Sequence, residues 1–334
     1  HERSRRQRQM CIRDRDIFIL SSETASAFSS RGIYLFPVTP EFSAPVRDGR
    51  GGDSRIHQVS SYELHAVDFG SSADKVFRYI DTHPYVAGQF VWNGFDYIGE
   101  PTPYYSARSS YSGMIDLAGF KKDRFYLYQS QWRPDLPMAH ILPHWNWQGR
   151  EGEITPIHVF TSGDEVELFV NGESKGRKKK APLEYRIRFD DIRYTPGSVE
   201  VVAYKDGKPW AHDRVETTGT AAALAASADR SVIHADGRDL SFVTVDIVDE
   251  AGRFVPTATH NIAFTLSGPG RIVATDNGDS TDFTPFVSHQ RNAFSGKVLV
   301  IIQSENHHSG DIVLTATNKE LGTTSLRILS LIHI

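Results

Sequence analysis

VAGQFVWNGFDYIGEPTPYY, residues 86 to 105, changes character half-way along. Phe90-Val91-Trp92 is a short apolar run of strand-favouring residues, entered through Gly88 and left through Asn93-Gly94, so it reads as a buried strand opening into a loop. The second half excludes regular structure. Pro101 and Pro103 remove backbone donors and push the residues before them out of helical angles. Phe95, Asp96, Tyr97, Glu100, Tyr104 and Tyr105 crowd rings and carboxylates into that one loop. Such a set at the carboxyl end of a strand suits a sugar: ring faces pack on the C–H faces of a pyranose, while carboxylates and amides bond its hydroxyls. Taken alone, the stretch fits equally well a packed core with an irregular loop above it.

Upstream, Ile17 to Leu20 is an apolar strand, and Ser21-Ser22-Glu23-Thr24-Ala25-Ser26 follows it directly. A carboxylate where a strand ends, among small hydroxyl residues, is held rigidly yet stays reachable, and in a (β/α)8 barrel catalytic residues sit there. From Arg31 to Phe69 the chain is loop-like, with glycines at 49, 51 and 52. A helix is predicted from near Ser71, with Asp74 three residues on in a capping-box-like spacing. Ala73, Val76, Phe77 and Ile80 mark its apolar face, and His83-Pro84 stops it. A second helix, Lys121 to Trp132, offers Phe125, Leu127, Tyr128 and Trp132 for burial. Strand, long loop, short helix and strand make one barrel unit.

Pro134 and Pro137 mark a boundary, after which the period turns from helical to alternating. Ile154 to Ser162 and Glu165 to Val170 read as paired strands, Asn171-Gly172 is a hairpin signal, and Ser198 to Tyr204 with Asp206-Gly207 gives another hairpin. Arg177 to Lys180 reads as a solvated strand edge that discourages edge pairing. The alanine-rich Thr220 to Ala226 is a linker or entry strand. A second sandwich follows: Val243, Val245 and Ile247 alternate with Thr244 and Asp246, Ile262, Phe264 and Leu266 alternate likewise, and Lys297 to Ile302 and Asp311 to Thr317 are late strands. Asp276-Asn277-Gly278-Asp279 has the composition of a calcium loop, but without the remaining ligands or a closing Glu it reads as a plain turn. The fourteen histidines show no HExxH or similar spacing, so no metal and no other cofactor is predicted.

A chain of 334 residues predicts two or three domains, and 39% hydrophobic with 11% aromatic residues is ample for their cores. A formal charge of -4 gives no general attraction to nucleic acid or anionic lipid. No apolar run approaches the roughly 20 residues of a bilayer span. The single Cys11 excludes an internal disulfide and leaves the compartment open. His1 to Asp16, dense in arginine, and Leu329 to Ile334 read as foreign ends on an assembled fragment, with a basic tail for acidic partners as the alternative for the first.

Several blocks together resemble family 2 glycoside hydrolases, in particular the Bacteroides-type β-galactosidases. They are Ser22-Glu23-Thr24-Ala25-Ser26, Gly88 to Tyr97 (GQFVWNGFDY), Gly99-Glu100-Pro101-Thr102-Pro103-Tyr104, Ile115 to Phe120 (IDLAGF), His144-Trp145-Asn146-Trp147 and Glu167 to Gly172 (ELFVNG). The resemblance runs from about Ile17 to Ile328 and implies a multidomain α/β plus all-β chain. In that layout 17–136 is the C-terminal remnant of a (β/α)8 TIM barrel, with Ile17–Leu20 and Phe90–Trp92 as strands seven and eight. Two immunoglobulin-like β-sandwich domains follow at 137–219 and 220–328, and 1–16 and 329–334 are non-native tails.

The implied activity is that of a retaining, exo-acting β-galactosidase, with Glu23 as nucleophile and Trp92 as the floor of the subsite for the nonreducing sugar. Asn93, Asp96 and Glu100 are further substrate-binding candidates. The family's acid/base is the Glu of an Asn-Glu pair, and no such dipeptide occurs here, so this polypeptide alone is expected to be inactive. Family glucuronidases carry an Asn-x-Lys motif after strand eight. Its absence from Asn93 to Phe120 favours a neutral β-linked galactoside as partner. Thr24 and Ser26 stand where the family has Tyr or His. The resemblance also favours a periplasmic or secreted location. The rival class is a non-catalytic carbohydrate-binding or adhesive β-sandwich protein, with Trp145, Trp147 and Trp210 as a sugar platform.

Overall fold

The computed structural model describes residues 18 to 332, so the expectations for residues 1 to 17 lie outside the described residues. Strands β1 (Ile19–Ala25) and β2 (Val86–Trp92) lie side by side as a two-stranded parallel sheet. Parallel neighbours need a crossover, supplied here by a long loop and helix α1 (Ala73–Thr82). The expected strand thus runs on to Ala25, with Glu23 inside it. Phe90 is 60% exposed and Trp92 37%, against the expectation of a buried strand, because β2 has a single strand neighbour among the described residues.

Helix α1 starts at Ala73 with an extended Ser72 before it, and no side chain caps it. The capping-box expectation fails because Asp74 has another partner: its buried carboxylate binds Arg186, with Nε to Oδ1 at 2.9 Å. Helix α2 (Asp123–Trp132) begins two residues later than expected, since Lys122 is extended at φ −89°, ψ 168°. Its Leu127 and Tyr128 pack with Phe77 of α1 and with Leu142 and Phe160, a core shared with the first sandwich. Trp132 stays half-exposed. Between residues 31 and 69 only strands of two or three residues interrupt the loop.

The first sandwich has β3 (Ala139–Leu142), β4 (Ile157–Thr161), β5 (Glu165–Val170), β6 (Glu173–Lys179), β7 (Ile187–Phe189), β8 (Ser198–Lys205) and β9 (Lys208–Glu216). Its sheets are ordered β6-β5-β8-β9 and β7-β4-β3, so β4 and β5, expected to pair with each other, lie in different sheets because the chain crosses between the layers at 162–164. Both expected hairpins form, Asn171-Gly172 joining β5 to β6 and Asp206-Gly207 joining β8 to β9, each with left-handed backbone at both residues. Arg177 to Lys179 lie on β6, an exposed outer strand, whereas Lys180 falls past its end, half-buried with its Nζ donating to the Thr161 carbonyl at 3.0 Å.

The second sandwich holds β10 (Ala223–Ala228), β11 (Val232–His234), β12 (Leu240–Val248), β13 (Asn261–Ser267), β14 (Gly270–Asp276), β15 (Gln290–Asn292), β16 (Lys297–Ser304), β17 (Gly310–Asn318) and β18 (Gly322–Leu331). The sheets run β10-β12-β16-β14 and β11-β18-β17-β13-β15. Alternation puts Val243, Val245 and Ile247 of β12 against Ile312 and Leu314 of β17 in a dry core. The alanine-rich segment is strand β10. The last strand does not stop at Ile328: Leu329, Ser330 and Leu331 pair with Val232, Ile233 and His234, so these residues belong to the sheet.

The Asp276–Asp279 turn joins the bodies. Asp276 accepts from its own Asn277 and Gly278 amides and binds Arg108 at 2.8 Å, while Gln58 donates to Asp279 at 2.9 Å. A Cβ on Gly278 would lie 2.0 Å from the Asp116 carboxylate, so this close approach requires glycine. Among the described residues no group of three or more His, Cys, Asp or Glu is placed to hold a metal ion, and no helix is long and apolar enough to cross a membrane.

Candidate functional site

The β1–β2 register determines what lies near what. Ser21 pairs with Gln89, Thr24 with Val91 and Ala25 with Trp92. Between Ser21 and Thr24 β1 has two residues where β2 has one, so a bulge falls on Ser22 and Glu23, a device often found beside active sites because it re-aims a side chain. Glu23 is exposed. Just after it, Thr24 Oγ1 donates to Gln89 Oε1 at 2.8 Å, fixing the two strands to each other at this point. Backbone φ turns left-handed at Ala25 and Ser26, which ends the strand abruptly.

Past Trp92, whose peptide bond to Asn93 is cis, the loop splits into an outer and an inner set. The outer set joins Trp92, Tyr97 and Glu100. The Tyr97 ring stands edge-on to Trp92 with centroids 6.0 Å apart, and its hydroxyl donates to Glu100 Oε2. Burial, with the Glu100 hydrogen bond adding to it, pushes the Tyr97 hydroxyl up to about 12, so it stays a proton donor near neutrality. Trp92 and Phe95 therefore offer open ring surface with a carboxylate close to hand.

The inner set is Asn93 and Asp96. Asn93 Oδ1 accepts from Ser112 Oγ at 2.9 Å and its Nδ2 donates to Phe95 O at 2.7 Å. Asp96 is 5% exposed, accepts from the Gly113 amide at 2.7 Å and pairs with Lys122 Nζ at 2.5 Å. Burial raises its carboxyl to about 6, and Lys122 pulls the other way. Lys122 also donates to the Ser29 and Tyr111 carbonyls, which ties the loop to the segment after β1. Beneath it, buried Arg124 binds Glu63 at 2.8 Å and the Ser112 carbonyl at 2.5 Å. Of the sequence-predicted residues, Glu23, Trp92 and Glu100 are thus reachable, while the functional groups of Asn93 and Asp96 are engaged in bracing the loop.

Lys122 and Arg124 escaped sequence reasoning. A Lys or Arg in the first turn of a helix reads as solvated, and only the partners from residues 29, 63, 96 and 112 reveal otherwise. The tryptophans of the rival reading do not form a platform. Trp145 is fully buried and donates to Thr195 O, Trp147 stacks on His144 at 4.3 Å, and Trp210 lies under Lys205 with its Nε1 on Ser162.

Comparison with known proteins points to one family. Residues 224–327 match the model of glycoside hydrolase family 2 C-terminal domain 5, and 152–211 match a domain of unknown function, DUF4982. A beta-galactosidase of Bacteroides ovatus is 41% identical over 312 residues, which are 93% of this chain and 36% of that protein. A putative beta-glucuronidase of Formosa agariphila is 31% identical over 82% of this chain and 27% of its own length. The crystal structure of a beta-glycosidase from Bacteroides vulgatus superposes with a TM-score of 0.82 at 30% identity, covering 93% of this chain and 41% of that one. The chain therefore spans roughly a third of the length of these curated relatives. The chain belongs to glycoside hydrolase family 2, whose C-terminal domains it carries.

Proposed function

We propose that this chain is the nucleophile-bearing part of a retaining, exo-acting β-galactosidase, in which Glu23 attacks the anomeric carbon and Trp92 floors the sugar subsite. The observation that carries this reading is the parallel β1–β2 pair, whose register sets Ala25 beside Trp92, so the strand bearing Glu23 and the strand bearing Trp92 end side by side. Residues 18 to 136 are read as the last units of a (β/α)8 barrel. Supporting this are the parallel pair, its helical crossover, and Phe18, Leu20 and Phe90 left exposed as on strands that lack their neighbours.

Retaining glycosidases place two carboxyl groups roughly 5 to 5.5 Å apart, one as nucleophile and one as acid and then base. The second is supplied from outside this chain, so the 334 residues alone turn over no substrate. Glu100, held by Tyr97, accepts from sugar hydroxyls; Asn93 and Asp96 position the loop. A galactoside is favoured over a glucuronide by the likeness to the Bacteroides ovatus beta-galactosidase and by the lack of an Asn-x-Lys motif after Trp92.

An activated 2-fluoro galactoside incubated with the full-length enzyme should leave a glycosyl group on Glu23, located by peptide mass mapping, whereas a 2-fluoro glucuronide should not. Labelling of a different carboxylate, or none, would overturn the nucleophile assignment. Turnover of a nitrophenyl β-galactoside by the 334-residue chain would overturn the claim that it lacks its acid/base.

A further inference from the structure

Where the three bodies meet there is a cleft of about 500 Å³, within the range of small-molecule sites and lined by neither Glu23 nor Trp92. One wall comes from the start of α2 and the segment around Arg31, another from β3 and β9, and the third from the β12 end and the start of β16. Its walls are tied together by Arg31, which crosses to the Asn277 and Phe294 carbonyls, and by Asn146, which crosses to Thr218.

The lining is rich in donors. Arg31, Lys121, Arg214, Arg253 and Lys297 face two carboxylates, Asp123 and Glu216. Both acids are already engaged. Asp123 accepts from the Tyr34 hydroxyl at 2.6 Å and lies 2.6 Å from His140 Nε2, and Glu216 lies 3.2 Å from Arg214 and 4.0 Å from Arg253. Outside the lining, Arg31, Lys297, Arg253 and Arg214 keep one carboxylate each, Asp116, Asp246, Asp249 and Glu200, and Arg31 is buried with all its nitrogens engaged. Lys121 has no carboxylate partner among the described residues; its ammonium lies 4.4 Å over the Phe125 ring and 5.9 Å from that of Tyr126. Tyr126 in turn stacks on His140, centroids 3.9 Å apart and planes 15° off parallel. Exposed N–H donors, a cation without an acid, and ring surface together suit a ligand that is acceptor-rich, anionic and has C–H faces.

We infer that this three-way junction is a second, non-catalytic binding site for an acidic saccharide unit, one bearing a carboxylate or a sulfate, with Lys121 as its anchor. The site needs nothing from Glu23, so it stands or falls separately from the hydrolytic reading.

Calorimetric titration of the 334-residue chain, repeated on the full-length protein, with methyl β-glucuronide, glucose 6-sulfate and methyl β-glucoside tests it. Saturable binding is expected for at least one acidic sugar, about tenfold or more weaker for the neutral one, and falling as salt is raised from about 0.05 to 0.5 M. Which acidic sugar binds identifies the anion. Lys121 is exposed, so Lys121→Gln leaves the fold intact and should weaken binding about tenfold, with Lys121→Arg restoring it. No saturation with either acidic sugar, equal affinity for the neutral sugar, or unchanged binding by Lys121→Gln would each overturn the site.

Discussion

Asp96 shows how far a single residue can be judged from sequence. Its place in an aromatic loop after a strand made it a candidate for sugar hydroxyls, and the signal for the loop was sound. What the sequence hides is Lys122, whose buried ammonium reaches Asp96 from 26 positions on. Burial lifts the Asp96 carboxyl to about 6, above its unfolded value, so the folded state binds the extra proton more tightly. The sign follows: this group's contribution to stability is fully present below the unfolded pKa near 4 and is lost as pH rises through about 6. Asp96→Asn removes that titration. The stability of the native protein minus that of the variant, from urea midpoints, should therefore fall by roughly 2 kcal/mol between pH 4 and pH 7. A difference that grows over that range would mean that the Lys122 attraction outweighs desolvation. The strands that carry Glu23 and Trp92 were legible because each is a local apolar run with its own motif neighbours, whereas Arg124 and Glu63 meet only through the tertiary fold.

At the scale of elements, turns were the most legible feature because their chemistry is local. Asn171-Gly172 needs left-handed backbone at φ 52° and 78°, which these two residue types adopt at least cost. Nothing lies within 4 Å of a Cβ added to Gly172, so Gly172→Ala should cost only the backbone term, about 1 kcal/mol. Asn171 does more. Its Oδ1 accepts from the Ser198 amide at 2.7 Å and its Nδ2 donates to Pro196 O at 3.2 Å, tying the hairpin to the strand β8 beside it. Asn171→Ala should therefore cost about 2 kcal/mol, one unit from each source, and urea denaturation of the two variants checks the order. Strand ends were less legible. β1 overran its predicted end by five residues and α1 lost its expected cap, in both cases because a partner distant in sequence settled the outcome: β2 for the strand, and Arg186 for Asp74.

Across the whole molecule the decisive contacts join segments 85 or more residues apart, and no local pattern announces them. Arg186 of the first sandwich reaches Asp74 and the Tyr62 carbonyl, and Arg31 reaches Asp116, Asn277, Phe294 and Ser295. The turn at Asp276–Asp279 read as ordinary because its calcium-loop composition lacks the remaining ligands and the closing Glu. Its buried contacts come from Arg31, Arg108 and Gln58, which lie over 160 positions away. Arg31 is nearly fully buried between Phe120 and Phe294 and is bonded to Asp116 at 2.6 Å. Removing it leaves Asp116 buried without its cation and cuts three donations to carbonyls of the second sandwich. Breaking such a buried pair from one side typically costs about 3–5 kcal/mol. Because most of those bonds cross the seam, the loss should fall on the coupling between bodies more than on either core. Calorimetry of Arg31→Ala is therefore expected to resolve a separate transition for residues 220–331, and limited proteolysis should cut near 217–222 faster than in the native protein. Arg31→Lys keeps the charge but not the fork that spans three carbonyls and a carboxylate, so it should recover the coupling only in part. A single cooperative transition in Arg31→Ala, shifted but undivided, would show that the first sandwich rather than Arg31 transmits cooperativity to the second.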